Sequence, residues 1–455
     1  MAARGKSRRM MTTGAGIVAV LLLSIEYGIT WYAFYGDKID RSFVFKGNML
    51  VIALYACIVA VLIHLFGGFR VGYLRRAEQV YAFCLGLFIT NIFTYFQISL
   101  ISRYLVQVLP MVLLTVAEIG TALLWSIIAE RIYYRKYPPR RMLLVYGGHS
   151  AEELIRKIDT YRAKYEICAI VNVNESVTKI YDQIMQYDSV ILSDVSADLR
   201  NELLKFCYGK SIRVYLTPKI SDVIIRGGES VNLFDSPLVL CRNEGIPLPQ
   251  SIIKRGADII CAALGMLMTL PLTLLIAASI YLEDRGGVFF TQDRVTLGGR
   301  VFRMLKFRSM VVDAEKNGAM HLGMENDPRI TRVGRLLRAT RLDELPQLWN
   351  ILVGDMSLVG PRPERVELQE LYSRQIPEFS FRLKVRGGLT GFAQVYGKYN
   401  TSAYDKLRMD LAYITGYSFF MDLKLLLMTL KIVFTKGSAE GFSEEKAERI
   451  ARKEG

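Results

Sequence analysis

Ala257-Asp-Ile-Ile-Cys-Ala-Ala-Leu-Gly-Met-Leu-Met-Thr-Leu-Pro271-Leu-Thr-Leu-Leu-Ile-Ala-Ala-Ser-Ile-Tyr-Leu282 is apolar throughout, apart from Asp258 near its start. As a helix it is long enough to cross the ~30 Å hydrocarbon core of a bilayer. Pro271, near its middle, removes a backbone N–H and clashes with the preceding turn, so a helix here bends. Two readings stay open on these residues. A full crossing sends everything after residue 285 to the opposite side of the membrane. A bent helix that enters and leaves by one face keeps Lys254 and Arg255 beside Glu283, Asp284 and Arg285. Arg255 and Asp258 stand three apart and are placed to pair where the helix enters lipid.

Four more apolar stretches precede it, at 14–35, 48–68, 80–101 and 106–129, each near the ~20 residues a spanning helix needs. Twelve basic residues flank them on one side: Arg4, Lys6, Arg8, Arg9, Arg70, Arg75, Arg76, Arg131, Arg135, Lys136, Arg140 and Arg141. The other side holds four: Lys38, Arg41, Lys46 and Arg103. Four crossings with both ends cytoplasmic satisfy the positive-inside rule. The first stretch lacks a small-residue cleavage site and reads as an anchor rather than a signal peptide. Glu26 and Glu118 lie inside these stretches. An intramembrane carboxylate is a functional candidate, but two acids without matching cations read better as bonded to neighbouring helices.

The whole-chain figures agree. Of 455 residues, 51% are hydrophobic and the net charge is +15. That excludes a disordered chain and a single small domain. Mean hydropathy of +0.24 with a pI near 9.4 points to a membrane protein rather than a soluble basic one. The cysteines at 57, 84, 168, 207, 241 and 261 form no C-x-x-C and read as reduced, buried thiols. Three histidines do not make a His-rich metal site.

After Pro138-Pro139 the pattern becomes alternating strand and helix. Strands are expected at 142–146, 167–173, 189–192 and 213–216, with helical spacing over 151–164. Such alternation implies a parallel, Rossmann-like sheet. The turn Gly147-Gly148-His149 stands where a phosphate loop would lie, but it is not G-x-G-x-x-G. The module reads as one that keeps the fold without a nucleotide. At the far end, the Glu/Lys/Arg-rich run 443–453 reads as a solvated helix.

Between residues 294 and 341 stand eleven Lys/Arg against four Asp/Glu. Arginine suits bidentate phosphate contacts. Arg332, Arg335, Arg338 and Arg341, spaced by three, are expected to line one helix face. Asp343-Glu344-Leu-Pro-Gln-Leu-Trp-Asn350 follows immediately. Adjacent carboxylates repel, so their placement beside an arginine cluster suggests division of labour. One carboxylate would attack phosphorus and form an acyl phosphate, and the other would meet Mg2+. Gly360-Pro-Arg-Pro-Glu364 is a rigid turn that aims Arg362.

These residues resemble the bacterial sugar transferase family of monotopic polyprenyl-phosphate phosphoglycosyl transferases. The run Asp327-Pro-Arg-Ile-Thr-Arg-Val-Gly-Arg-Leu-Leu-Arg-Ala-Thr-Arg-Leu-Asp-Glu-Leu-Pro-Gln-Leu-Trp-Asn350 and Gly354-Asp-Met-Ser-Leu-Val-Gly-Pro-Arg-Pro-Glu364 carry the signature. Lys254-Arg255-x-x-Asp258, Phe289-Phe-x-Gln292-x-Arg294, Lys306-Phe-Arg-Ser-Met310 and Leu389-Thr-Gly391 match as well. The resemblance covers roughly 250–435 and implies the following. A hexose-1-phosphate passes from a UDP-sugar to undecaprenyl phosphate with release of UMP, through an aspartyl phosphosugar, with Mg2+ as cofactor. Asp343 would be the nucleophile and Glu344 the Mg2+-associated acid. Lys306, Arg308, Arg338, Arg341, Arg362, Gln292 and Arg294 would bind phosphate and nucleotide. Arg255, Asp258 and Pro271 would shape a re-entrant helix over 257–282, so the resemblance favours the bent reading. It also implies an early step of exopolysaccharide, capsule or O-antigen assembly, a homodimer, and an active site on the cytoplasmic face of the bacterial inner membrane.

The expected architecture is an α-helical membrane protein with an α/β cytoplasmic module. Four transmembrane helices fill 1–137, a Rossmann-like domain 138–247, and a mixed α/β catalytic domain 248–455. Three positions depart from the family pattern. Leu270 replaces a Ser before the proline, Gly286-Gly287 replaces Gly-Pro, and Gly387 replaces a Pro, the last two expected to loosen their loops. Competing readings are a non-catalytic scaffold or sensor and a lipid-flipping transporter. Four spans without a repeat or paired intramembrane charges argue against the transporter. The basic excess is assigned to pyrophosphate, lipid phosphate and the anionic inner leaflet, with no nucleic-acid partner.

Overall fold

The computed structural model describes residues 2–38, 45–74, 76–148, 154, 155, 158, 164–233, 235–311, 329–397 and 401–433. Arg41, Arg75, His149, most of the helical spacing 151–164, Lys316, Asp327 and the run 443–453 lie outside the described residues. The chain divides into two compact units, Met1–Thr217 and Pro218–Gly455.

The first unit opens with helices α1 (Ala2–Thr30), α2 (Phe45–Phe66), α3 (Arg76–Ser102) and α4 (Leu109–Lys136). α1 packs on α2 and α4, and α3 packs on α2 and α4, closing a four-helix bundle. All four are long and apolar enough to cross a membrane, yet only 28–39% of each apolar window is buried inside the protein. The outward faces carry Leu21, Ile25, Phe96 and Leu100 in the open. The interior is aromatic, with Tyr27, Trp31, Tyr35, Tyr55 and Phe83 fully buried and Tyr27 stacked on Tyr55 at 4.0 Å. Both intramembrane acids are bonded to neighbouring helices, as anticipated. Glu118 accepts from the Tyr55 hydroxyl and from Asn91 Nδ2 (2.7 Å), and Glu26 accepts from Thr121.

Beyond the bundle the same unit carries a parallel sheet of β1 (Arg140–Tyr146), β2 (Tyr165–Asn172), β3 (Ser189–Ser193) and β4 (Arg213–Leu216), ordered β2-β1-β3-β4. Strands β1 and β3 are nearly all apolar because both faces are covered. The Gly147-Gly148 turn follows β1, where the strand order reverses. There the Asp194 carboxylate lies against Gly148 and the Asp194 carbonyl against Gly147. An acid on that approach opposes phosphate, which agrees with the motif mismatch.

The second unit begins at Pro218. Residues 218–247, expected within the Rossmann-like segment, pack here instead. The reason is apolar burial: Ile220 and Val223 of helix Ile220–Arg226 join the core containing Ile351, Met356, Phe379 and Leu407. An antiparallel hairpin of β5 (Glu229–Leu233) and β6 (Ser236–Leu240) leads to one long helix, Leu248–Asp284. That helix is the fifth apolar enough to cross a membrane, with only 11% of its apolar window buried. The helix runs as one element past Pro271, where a bend was expected, although the proline nitrogen has no hydrogen to donate.

Hairpin β7 (Phe289–Val295)–β8 (Val301–Phe307), a parallel pair of β9 (Met356–Val359) and β10 (Gly387–Thr390), and several short helices complete the α/β module. The six cysteines are free, but only Cys207 is buried, and Cys57, Cys168, Cys241 and Cys261 are exposed. Two of these, Cys57 and Cys261, sit on outward faces of apolar helices, where lipid rather than protein core would cover them.

Candidate active site

The acid pair sits on a tight turn. Thr331 caps helix Arg332–Thr340 by accepting from the Gly334 amide (2.9 Å), and Glu283 accepts from the Arg332 amide (2.8 Å). The helix ends at Arg341, which adopts the left-handed region at φ 56°. The 3-10 turn Leu342–Glu344 then presents both acids. This ending breaks the expected arginine row. Steps of three on a helix drift by about 60° each, so Arg332 and Arg335 are exposed and Arg338 is half-buried, its Nε donating to Ser309 Oγ (2.8 Å). Asn350 ties the following helix, Gln347–Val353, to β8. It accepts from the Leu305 amide and donates to the Arg303 carbonyl, both at 2.9 Å.

Four predicted residues meet here. Lys306 Nζ, from β8, lies 3.6 Å from Glu344 Oε1 and 4.0 Å from Asp343 Oδ2. Arg362 Nη2 donates to Glu344 Oε1 at 3.0 Å. Burial alone would raise the Glu344 carboxyl, but Arg362 and Lys306 outweigh it and hold the group at about 2. Asp343 goes the other way. Burial lifts its carboxyl above the usual range, against the pull of Lys306. Among the described residues Asp343 makes no hydrogen bond, and its contact is the ion pair with Lys306. The two adjacent acids therefore differ: one is clamped and ionised, the other is uncommitted. Arg338 and Arg341 each act electrostatically on a member of the pair.

The remaining predicted residues have other places. Gln292 Oε1 accepts from Arg294 Nη2 (2.6 Å), and Arg294 Nη1 donates to the Pro363 carbonyl (3.0 Å). Both thus buttress the Arg362 turn, and Arg294 lies close enough to act on Arg362. Arg308 is bonded to Asp284 at the end of the long helix rather than to the acids. Arg255 and Asp258 do not pair with each other. Arg255 donates to the carbonyls of Ile351 (2.6 Å) and Leu352 (2.8 Å), capping helix Gln347–Val353. Asp258 accepts from Ser357 Oγ (2.8 Å) and the Leu358 amide (3.0 Å). Orphaned carbonyls at a helix end and amides at a strand start offer these groups better partners than a local i,i+3 pair.

Sequence reasoning missed Arg382. It is 3% exposed; its Nε donates to Asp410 Oδ2 (2.9 Å) and its Nη2 to the Arg362 carbonyl (2.8 Å). Glu364 lies 3.7 Å from it. No periodicity marks Arg382 or Asp410, since 28 residues separate them in the chain. The turn is held further by backbone bonds from Gly360 to Thr390 and from Gly388 to Pro361, both 2.8 Å. Gly387, expected to loosen its loop, tightens it. Its amide donates to Thr296 Oγ1 (3.1 Å), a bond proline lacks, and the Pro363 ring fills the space of a missing Cβ.

A divalent cation fits this donor set in one way. Among the described residues no cluster of three or more His, Cys, Asp or Glu exists. Glu344 Oε2 makes no hydrogen bond to them and is available as a ligand. Magnesium commonly takes one or two carboxylates and completes its shell with water and substrate phosphate.

A sequence model described as bacterial sugar transferase matches residues 249–436. The N-acetylgalactosaminephosphotransferase of Aeromonas hydrophila, which is named for UDP-N-acetylgalactosamine and undecaprenyl phosphate, is 38% identical over 260 residues, 55% of this chain and 60% of that protein. The UDP-glucose:undecaprenyl-phosphate glucose-1-phosphate transferase of Klebsiella pneumoniae is 35% identical over 269 residues, 58% of this chain and 56% of that protein. The protein of the same name from Caulobacter vibrioides is 42% identical over 217 residues, 46% of this chain and 81% of that protein. The matched part of the chain thus spans less than two thirds of the first two relatives and most of the third. With the acid pair, its lysine and the Pro-framed arginine assembled within the matched region, the chain belongs to the bacterial sugar transferase family.

Proposed function

We propose that this chain is a phosphoglycosyl transferase that moves hexose-1-phosphate from a UDP-hexose to undecaprenyl phosphate. The observation that carries the reading is the partly buried Asp343 carboxylate, free of hydrogen bonds among the described residues, beside a clamped Glu344, under Lys306 and Arg362. Asp343 Oδ attacks the sugar-bearing phosphorus, a new acyl-phosphate bond forms, and the phosphoanhydride bond to UMP breaks. A phosphate oxygen of undecaprenyl phosphate then attacks the same phosphorus. The acyl-phosphate bond breaks, Asp343 is regenerated and the lipid diphosphosugar departs. Lys306 and Arg362 hold the phosphates in line, and Arg294 braces the Arg362 turn. Mg2+, held by Glu344, neutralises pyrophosphate charge when bound.

The same reading places four crossings and one re-entrant helix in the bacterial inner membrane, with the acid pair at the cytoplasmic face. The long helix supports this. Near one end, Lys254 pairs with Asp422 at 2.6 Å and Ala262 joins the core of the second unit. Near the other, Ile276 and Ile280 pack on Phe307 and Leu337 of that unit. Between them Leu264, Leu267, Met268, Leu274 and Leu275 are exposed. Two ends docked on one compact unit fit a helix that enters and leaves by one face better than one that crosses. The homodimer implied by the resemblance belongs to this reading too.

Membranes containing the full chain should release UMP from a panel of UDP-hexoses only when undecaprenyl phosphate is supplied, beyond a single-turnover burst. Asp343→Asn should abolish both phases. Full turnover in that variant would remove Asp343 as nucleophile.

A further inference from the structure

A second cationic cluster lies in the first unit, where the chain passes from the bundle into the sheet. Lys164 is 7% exposed, and its ammonium nitrogen sits 3.0 Å from the Tyr73 ring centroid and 4.5 Å from that of Tyr165. Its carbonyl accepts from the Arg140 amide (3.0 Å), which holds it at the first residue of β1. Arg140 Nη1 donates to the Tyr215 hydroxyl (3.0 Å). Arg8 Nη2 donates to the Pro138 carbonyl (3.0 Å), and its guanidinium lies 5.1 Å over the Tyr137 ring. Arg70 comes from the loop between α2 and α3. Gly72 of that loop, at φ +72°, lies against the Tyr133 ring. Arg140, Arg8 and Arg70 all lie close enough to act on Lys164.

Among the described residues, none of these four cations forms an ion pair. An aromatic face under an ammonium recovers only part of the hydration that burial removes. Burial, followed by Arg140, Arg8 and Arg70, accordingly pulls the Lys164 ammonium down to about 7. Three arginines and a buried lysine with no acid against them among the described residues leave the cluster short of negative charge. Planar guanidinium forks match phosphoryl oxygens best.

We propose that Arg8, Arg70, Arg140 and Lys164 form a binding site for a phosphate-bearing anion, separate from the acid-pair site. The phosphoryl group comes from an anionic phospholipid headgroup or from a soluble phosphate compound. Lys164→Met tests this, because the variant keeps the apolar stem and loses the charge. Without anion, the full-length variant in neutral detergent should melt at or above the wild type. Added phosphatidylglycerol, with phosphatidylcholine as control, should raise the wild-type melting temperature and leave the variant unmoved if the source is lipid. Native mass spectrometry should then find about tenfold less retained phosphatidylglycerol on the variant, the loss of one charge-assisted contact. If the source is soluble, inorganic pyrophosphate should produce the wild-type shift instead. Lys164→Arg should respond as the wild type does. A variant that melts well below the wild type without anion would overturn the site, because Lys164 would then be satisfied by the protein. So would equal responses of wild type and Lys164→Met to both anions, or no response of either.

Discussion

Lys306→Met probes the electrostatics of the acid pair. The ammonium nitrogen stands 4.0 Å from Asp343 Oδ2 and 3.6 Å from Glu344 Oε1. At an effective dielectric of about 20, unit charges 4 Å apart interact by about 4 kcal/mol. The lysine and aspartate side chains are 18% and 13% exposed, so solvent takes part of this, and a coupling of about 1–3 kcal/mol is the working figure. Glu344 keeps Arg362 and stays ionised. On the proposed reaction, Asp343 must be ionised to attack, so its titration sets the acid limb of kcat/KM for the UDP-hexose. Burial already raises that carboxyl. Removal of Lys306 should therefore carry the acid limb to higher pH, and mildly alkaline buffer should restore part of the rate. UMP release in detergent across pH 6 to 9, with undecaprenyl phosphate saturating, reads this directly. A loss equal at every pH, with the acid limb unmoved, would refute the coupling.

Arg382→Lys keeps a charge for Asp410 but lacks the fork that also reaches the Arg362 carbonyl. A cost of about 1.5–3 kcal/mol should appear as a fall in kcat of roughly 10–100-fold with little change in KM, and an unchanged kcat would dismiss Arg382 as a positioning residue. Arg362→Met releases Glu344 from about 2 towards its ordinary 4.5. In the wild type the depressed carboxyl contributes stability that is full above its ordinary value and lost progressively as pH falls from there through about 2. In the variant that contribution is smaller. The melting-temperature gap should narrow from pH 7 to pH 4, and a constant gap would contradict this. Arg255→Ala orphans the Ile351 and Leu352 carbonyls and should cost about 3 kcal/mol, seen as a lower melting temperature. A cysteine at Gly287, in a background without the exposed native thiols, should label from the cytoplasm; labelling from the outer side would end the re-entrant reading.

The apolar helices and the sheet strands were legible because each rests on local pattern. Hydropathy over some twenty residues marks a span, and short apolar runs between turn signals mark strands. Helix ends differed by several residues, since α1 and α4 continue into their charged flanks. The acid pair, Lys306 and Arg362 were legible as chemistry, but not as geometry. The sequence did not show that Lys306 would reach across from β8, or that Arg308, two residues on, would be taken by Asp284. Residues two apart on a strand share a face, yet each side chain goes to whichever opposite charge the fold brings near.

The sequence by itself determined which segments are apolar, which carry cations, and which reactive side chains stand together. Those properties depend on residues adjacent in the chain. Tertiary structure decided the partners. It sent Arg255 and Asp258 to separate backbone groups, assigned residues 218–247 to the second unit, and locked Arg362 through Arg382 and Asp410. It also made Asp343 and Glu344, neighbours of nearly identical chemistry, electrostatically opposite. A carboxylate's ionisation is set by burial and by charges within a few ångströms, and only the folded chain fixes those distances.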